Sequence, residues 1–262
     1  TGSSNVALGI DAMYFNTTGG NNTAVGTDAL KDNTTGNNNT AVGLAALGNN
    51  TTGSPNTAVG QNSLATNTTG GGLVAVGQGA LEDNTTGNYN TALGRDALKE
   101  NTTAGQNTAV GNSALSSSTT AENNTALGFA ALNLATTGSN NTALGRSALA
   151  SSTTAAQNTA VGYLALYANT TAQNQVAVGF EAGAALTTGD ENVAVGARAL
   201  RSSTTGYDNV AVGRDAMYSN VAGGRNVVVG MYAGYYHTGN NESTYNVSIG
   251  FAAGQGTADY TG

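Results

Sequence analysis

Short apolar triplets recur along the chain at a fixed interval, each closed by a glycine. That glycine stands at Gly9, Gly26, Gly43, Gly60, Gly77, Gly94, Gly111, Gly128, Gly145, Gly162, Gly179, Gly196, Gly213 and Gly230, one every 17 residues, and Gly250 follows after 20. The chain is therefore fifteen copies of one unit, N-T-A-[VL]-G-x-x-A-L-x-x-N-T-T-G-x-x, with a three-residue insertion around His237 to Tyr245. Position one of the unit is Asn in 13 of 15 copies, Leu73 and Gln175 being the exceptions. Position four is Val, Leu or Ile in all fifteen, position eight is Ala except for Ser63, and position nine is Leu or Met except for Gly183, Gly234 and Gly254. A flexible tract has no need to hold its apolar residues in phase, so the repeat argues for order. One repeat domain spans residues 1–262, with no linker composition to divide it.

A 17-residue period is below the ~33 or more of helical repeats and the 20–29 or so of leucine-rich repeats. It suits one coil of an all-β, parallel β-solenoid. Alternation along a strand puts positions two and four on one face and the Ala of position three on the other. The sequence reading places position four in the core, opposite the Ala-Leu of positions eight and nine. Asn-Thr-Thr-Gly makes a second strand or a return turn. The unvarying Gly at position five predicts a positive φ or a close backbone approach. Position fifteen accepts Ala104, Ala121, Ala155 and Ala172, so it does not require a left-handed backbone.

A lone coil cannot bury its apolar stripe, whereas stacked coils bury it and pair the backbone. Fifteen coils at ~4.8 Å predict a rod about 70 Å long. One Val, one Leu and two Ala per coil, at roughly 1.5–3 kcal/mol per large apolar side chain, barely offset the ordering entropy. The shortfall points to Asn and Thr ladders. It also points to burial of the Ala face of position three against other chains, as in a homotrimer of parallel rods. Coils that break the pattern carry compensations. Leu186 is expected to refill the space left by Gly183, and Gly234-Tyr235-Tyr236 to do something similar. Position two turns from Thr to Val at Val176, Val193, Val210, Val227 and Val247, which makes the C-terminal third more apolar.

The unit resembles the repeats of bacterial and phage tail-fibre-domain proteins. It also looks like a lengthened head repeat of trimeric autotransporter adhesins of the Yersinia adhesin type, the nearest matches being Asn246-Val-Ser-Ile-Gly250 and Asn192-Val-Ala-Val-Gly196. The resemblance covers the whole chain. It implies a left-handed parallel β-roll, usually trimeric, in an extracellular fibre or adhesin on a cell or virion surface. The Thr-Gly pairs at both ends resemble the close of a unit. They suggest either an excerpt of a longer fibre or a subunit that stacks end to end, since an uncapped solenoid end is an open strand edge.

Composition narrows the function classes. Gly occurs 38 times in 262 residues, roughly twice its usual ~7%. Most of the excess is one obligatory Gly per coil and often a second. The absence of Cys removes disulfides, Cys-bound zinc and thiol nucleophiles. A single His, His237, removes a His cluster and falls in the insertion, read as a surface loop. Eight Lys+Arg against fifteen Asp+Glu give no basic footprint for nucleic acid. No apolar run of about 18 residues exists to cross a membrane. No calcium repeat or phosphate loop occurs, so no cofactor is expected.

Four features carry candidate chemistry. Acidic residues recur at position seven (Asp11, Asp28, Asp96, Glu181, Asp215) and read as a solvated row, which leaves no credible carboxylate pair for an enzyme. Adjacent Thr rows at positions thirteen and fourteen, from Thr17, Thr34 and Thr51 onward, raise ice binding as a remote alternative. Their adjacency points them to opposite faces. Asn-Thr-Thr matches the glycosylation acceptor at Asn16, Asn33, Asn50, Asn67, Asn84, Asn101 and Asn169, though a side-chain ladder explains it equally. Seven of eleven Tyr follow residue 200. Tyr207, Tyr218, Tyr232, Tyr235, Tyr236 and Tyr245 are candidate contacts to a cell-surface glycan or receptor, or else cover the chain end with Tyr260. The reading is a non-enzymatic structural fibre or adhesin, with a glycan-binding module as the alternative.

Overall fold

The computed structural model describes residues 2–236 and 244–255. Each coil contributes one short strand, and the rest of its length is turns and bends. The chain divides into two compact units, Thr1–Thr137 and Gly138–Gly262. The first carries β1 to β8 at Val6–Leu8, Thr23–Val25, Thr40–Val42, Asn56–Val59, Leu73–Val76, Thr91–Leu93, Thr108–Val110 and Thr125–Leu127. The second carries β9 to β15 at Thr142–Leu144, Thr159–Val161, Val176–Val178, Val193–Val195, Val210–Val212, Val227–Val229 and Val247–Ile249. All fifteen strands form one parallel sheet in chain order, and no helix occurs among the described residues. The register repeats the unit, as in Thr23↔Thr40, Ala24↔Ala41 and Val25↔Val42. The protein is a β-solenoid. Asn-Thr-Thr-Gly resolves as a bend and forms no second strand.

The strand faces are the reverse of the sequence expectation. Ala24, Ala41, Ala58, Ala75, Ala92 and their successors at position three are buried as far as Val228, while no residue at position four is buried. The reason is the width of the coil. Position nine brings a whole Leu into the interior from the opposite wall, and Leu30, Leu47, Leu64, Leu81 and Leu98 are all fully buried. With Ala at positions three and eight around it, that Leu fills the space, and a second branched side chain has nowhere to go. Only one coil has Val at position three, the buried Val228, and that coil has Gly234 in place of the Leu. The Ala face is therefore not available to other chains, which removes that argument for a trimer.

Positions seven, nine and seventeen are left-handed in nearly every coil. The ten leucines at position nine have φ of 50° to 53°. That conformation costs an L-residue about 1–2 kcal/mol. Burying a Leu returns roughly 1.5–3 kcal/mol, so burial wins and the strain is tolerated.

The Gly183 compensation is as expected. Leu186 is fully buried, and a Cβ on Gly183 would lie 3.0 Å from both Leu186 Cδ1 and Leu166 Cδ2. The two positions share one space. Leu186→Ala is expected to cost about 3 kcal/mol, and Gly183→Leu about 1–3 kcal/mol through overpacking. The pair Gly183→Leu with Leu186→Asn restores the common unit and recovers most of the loss in urea unfolding. Simple addition of the single losses would contradict the shared space. The parallel expectation for Tyr235 and Tyr236 fails: both stay half-exposed outside the core, because their rings stack on other surface rings.

Candidate functional site

The most repeated chemistry lies inside the coils. Position one forms an amide ladder in which Asn22 Nδ2 donates to Gly36 O at 2.9 Å, and Asn22 Oδ1 accepts from Asn39 N at 2.8 Å. Gln175 keeps both links, donating to Gly189 O at 2.7 Å and accepting from Asn192 N at 3.2 Å. Position twelve forms a second ladder. Nδ2 of Asn33, Asn50, Asn67, Asn84 and Asn101 each donates to Oδ1 of the preceding Asn at 2.7–2.9 Å, and also to the carbonyl of position fifteen in its own coil. Asn169 Nδ2 donates to Ala172 O at 3.1 Å.

These bonds correct the glycosylation expectation. Asn33, Asn50, Asn67, Asn84, Asn101 and Asn169 are fully buried, and both protons of the amides at Asn33 to Asn101 are donated internally. The folded coil has no room for a sugar on those nitrogens. Asn16, part-exposed, also donates to its own coil's Gly19 O at 3.1 Å.

The two Thr rows separate as their adjacency predicts. At position thirteen the hydroxyl bridges coils, as in Thr34 Oγ1 to Thr51 O at 3.0 Å and Thr51 Oγ1 to Thr68 O at 2.9 Å. At position fourteen, Thr18, Thr35, Thr52, Thr69, Thr86 and their successors are exposed. One row supports the stack and only one faces solvent.

The acidic row is mostly a paired surface feature. Lys31 Nζ lies 2.9 Å from Asp28 and 3.7 Å from Asp11; the hydrogen bond and charge of Asp28 raise the lysine's pKa. Asp96 lies 3.2 Å from Arg95. Asp215 departs from the solvated reading: its side chain is 1% exposed. Its Oδ2 accepts from Arg198 Nη2 at 2.9 Å, and Oδ1 lies 2.8 Å from Arg198 Nε in an ionic contact not aligned as a hydrogen bond. The preceding coil supplies Arg198 and its own coil Arg214, so the buried carboxylate is compensated. Asp215's hydrogen bond and charge push the Arg198 guanidinium still higher.

The tyrosines of the second unit gather into two groups. Tyr218 and Tyr235 stack at 5.0 Å and 5°, with Tyr232 and Tyr236 edge-on to Tyr235 at 5.9 and 4.6 Å. Arg198 and Arg201 lie 5.8 and 5.7 Å from the Tyr218 ring, and Arg214 4.8 Å from Tyr232, whose hydroxyl it also contacts. Burial pushes the Tyr235 phenol above its ordinary pKa, and Tyr218 adds to it. In the second group Arg225 lies 5.3 Å from the Tyr207 ring and 5.6 Å from the Tyr245 ring, and donates to Tyr245 Oη at 2.9 Å. Inter-coil stacking thus occupies much of this aromatic surface. One open cleft of about 270 Å³ remains, lined by Tyr232, Tyr235, Tyr236 and Gln255. His237 and Tyr260 lie outside the described residues.

Among the described residues, no group of three or more His, Cys, Asp or Glu is gathered as a metal site would require. No helix among them is long and apolar enough to cross a membrane. The sequence signals overlooked were Asn, Asp and Gly at positions seven and seventeen, residues that tolerate φ > 0. They mark the left-handed corners of the coil. No family model matches the chain, and no curated protein matches it.

Proposed function

We propose that the chain is a structural element: the rod of an extracellular fibre or adhesin, displayed on a cell or virion surface, and not an enzyme. The observation that carries this reading is the use of the repeated polar side chains. The Asn rows of positions one and twelve and the Thr row of position thirteen spend their hydrogen bonds on holding coils together. A chain that commits its most repeated polar chemistry to its own stacking works through its shape and its outer surface. The likeness of the unit to tail-fibre and adhesin-head repeats supports the same assignment. Assembly with further copies, side by side as a homotrimer or end to end, belongs to this proposal. Immunogold labelling of intact cells or virions of the source tests it. Gold along surface filaments is expected, and label confined to the cell interior would overturn the reading.

A second reading is favoured by one observation, the open cleft at Tyr232, Tyr235, Tyr236 and Gln255. An aromatic wall with an amide beside it suits a sugar ring. On a glycan array, binding by the unaltered chain that disappears with Tyr235→Ala and Tyr236→Ala would establish this module. No binding by the unaltered chain would remove it. Ice binding gains nothing from the Thr pair, since its two hydroxyl rows do not share a face.

A further inference from the structure

Position ten of the unit is Tyr in two successive coils only once along the chain, at Tyr218 and Tyr235. The repeat sets these rings in register one coil apart, and they stack with centroids 5.0 Å apart and planes within 5°. Both are half-exposed, so small reagents reach them. Packing does not call for two phenols. Stacking is a property of the ring, and the other parallel stack among the described residues uses Tyr163 and Phe180, at 5.3 Å and 17°. The place of the pair is also particular. The fourteenth coil has Gly234 where the core residue of position nine belongs, and Tyr235 follows it directly. It therefore buries less side chain there than the thirteenth coil, which has the fully buried Met217. With no Cys in the chain, no disulfide can tie the two coils.

We propose that Tyr218 and Tyr235 are a site of oxidative cross-linking, joined as dityrosine by a haem peroxidase acting with hydrogen peroxide, and that the bond ties the thirteenth coil to the fourteenth. The inference goes beyond the fibre reading and does not depend on it, since the chemistry needs only the ring pair and the oxidant. The peroxidase takes one electron from each phenol, and each phenolic proton passes to water. The two phenoxyl radicals then form one carbon–carbon bond between ring carbons ortho to the oxygens. The hydrogens on those two carbons leave as protons, and each oxygen regains one proton. In sum one peroxide gains two electrons and two protons and becomes two waters, and the ring pair loses two hydrogens. Proximity selects the partner, because radicals held one coil apart meet without diffusion. A slide of one half-exposed ring along its parallel neighbour brings ortho carbons together. The planes of Tyr232 and Tyr236 instead cross that of Tyr235 at 63° and 76°.

The test treats the intact chain, in dilute solution, with a haem peroxidase and hydrogen peroxide, and reads dityrosine fluorescence and then tryptic peptides. Cleavage after Arg214 and Arg225 puts Tyr218 in residues 215–225 and Tyr235 in residues 226–262, so the bond joins two peptides. The unaltered chain is expected to give that joined pair, lighter by two hydrogens, as its main product. Tyr218→Phe and Tyr235→Phe keep the ring stack, and with it the fold, and are each expected to lower the fluorescence by at least about tenfold. Tyr89→Phe, at an exposed tyrosine of the first unit, is expected to leave it unchanged. The cross-linked chain is expected to melt at least about 5 °C above the untreated one, since the bond joins residues 17 apart. No joined peptide, a joined peptide that survives Tyr235→Phe, or an equal loss with Tyr89→Phe would overturn the pairing. An unchanged melting temperature would overturn the tie between the coils.

Discussion

Gly60→Ala is expected to lower stability by at least ~3 kcal/mol and to open the coils on both sides of it. Gly60 has φ of +135°, a region that is essentially reserved for glycine. Its missing side chain also faces the backbone of the next coil. A Cβ there would lie 2.6 Å from both C and O of Gly77 and 3.1 Å from the backbone N of Gln78. The backbone cannot retreat, because Gly60 N donates to Val42 O and Gly77 N to Val59 O, each at 2.8 Å. The strain therefore passes to the next coil, as it does in a stack where each repeat depends on its neighbours. Gly53→Ala, at position fifteen, is the contrast. A Cβ on Gly53 would lie 2.3 Å from Gly70 O, so the coils must shift there too, but that site is not left-handed and other coils hold Ala104, Ala121, Ala155 and Ala172 in its place, so a smaller loss of about 1–2 kcal/mol is expected. Urea unfolding of the two variants decides between them, and equal losses would contradict the account that the glycine-only backbone adds to the cost at Gly60.

The second large effect is expected at Asn67→Ala. Asn67 Nδ2 donates to Asn50 Oδ1 at 2.9 Å, and its Oδ1 accepts from Asn84 Nδ2 at 2.8 Å. Truncation leaves a buried acceptor on Asn50 and a buried N–H on Asn84, each costing about 1–3 kcal/mol. Gly70 O keeps its bond from Asn56, so the backbone carbonyl is spared. A total loss of about 3–5 kcal/mol is expected in the same unfolding measurement. The chain also contains the reverse experiment. The ladder stops at Asn101, whose Oδ1 has no partner, because the next coil has Ser118, whose Oγ has none either. Ser118→Asn is expected to extend the ladder and add about 1 kcal/mol. A destabilised Ser118→Asn protein would show that the amide row is limited by space and not by hydrogen bonding.

Much of this architecture was legible in the residues, for identifiable reasons. The period set the coil, and the unvarying Gly at position five marked the contact between coils. The missing Leu at Gly183 and the extra one at Leu186 described one filled space. A strand pattern by itself assigns the larger side chain to the core, and the fold reverses that assignment. What decides the face is how much room the Leu of position nine leaves, and that depends on the opposite wall, which a strand pattern does not contain. The left-handed backbone at position nine was hidden for a related reason: its residue is Leu, chosen for burial despite the conformational cost. The Asn-Thr-Thr tripeptide matched a modification signal, while its asparagines point inward. Asp215 resembles its solvated neighbours in the row, but it is buried between Arg198 of the preceding coil and Arg214 of its own, a pairing the row itself does not contain.

The central claim is that whole 17-residue coils, stacked one on another, are the working part of the molecule. Electron images of the intact chain beside a variant lacking residues 39–89, three whole units, test it most directly. The account predicts particles of equal width, the variant's first unit shorter by about 14 Å at ~4.8 Å per coil, and cooperative melting in both. An unchanged length, or collapse of the fold when whole units are removed, would contradict it.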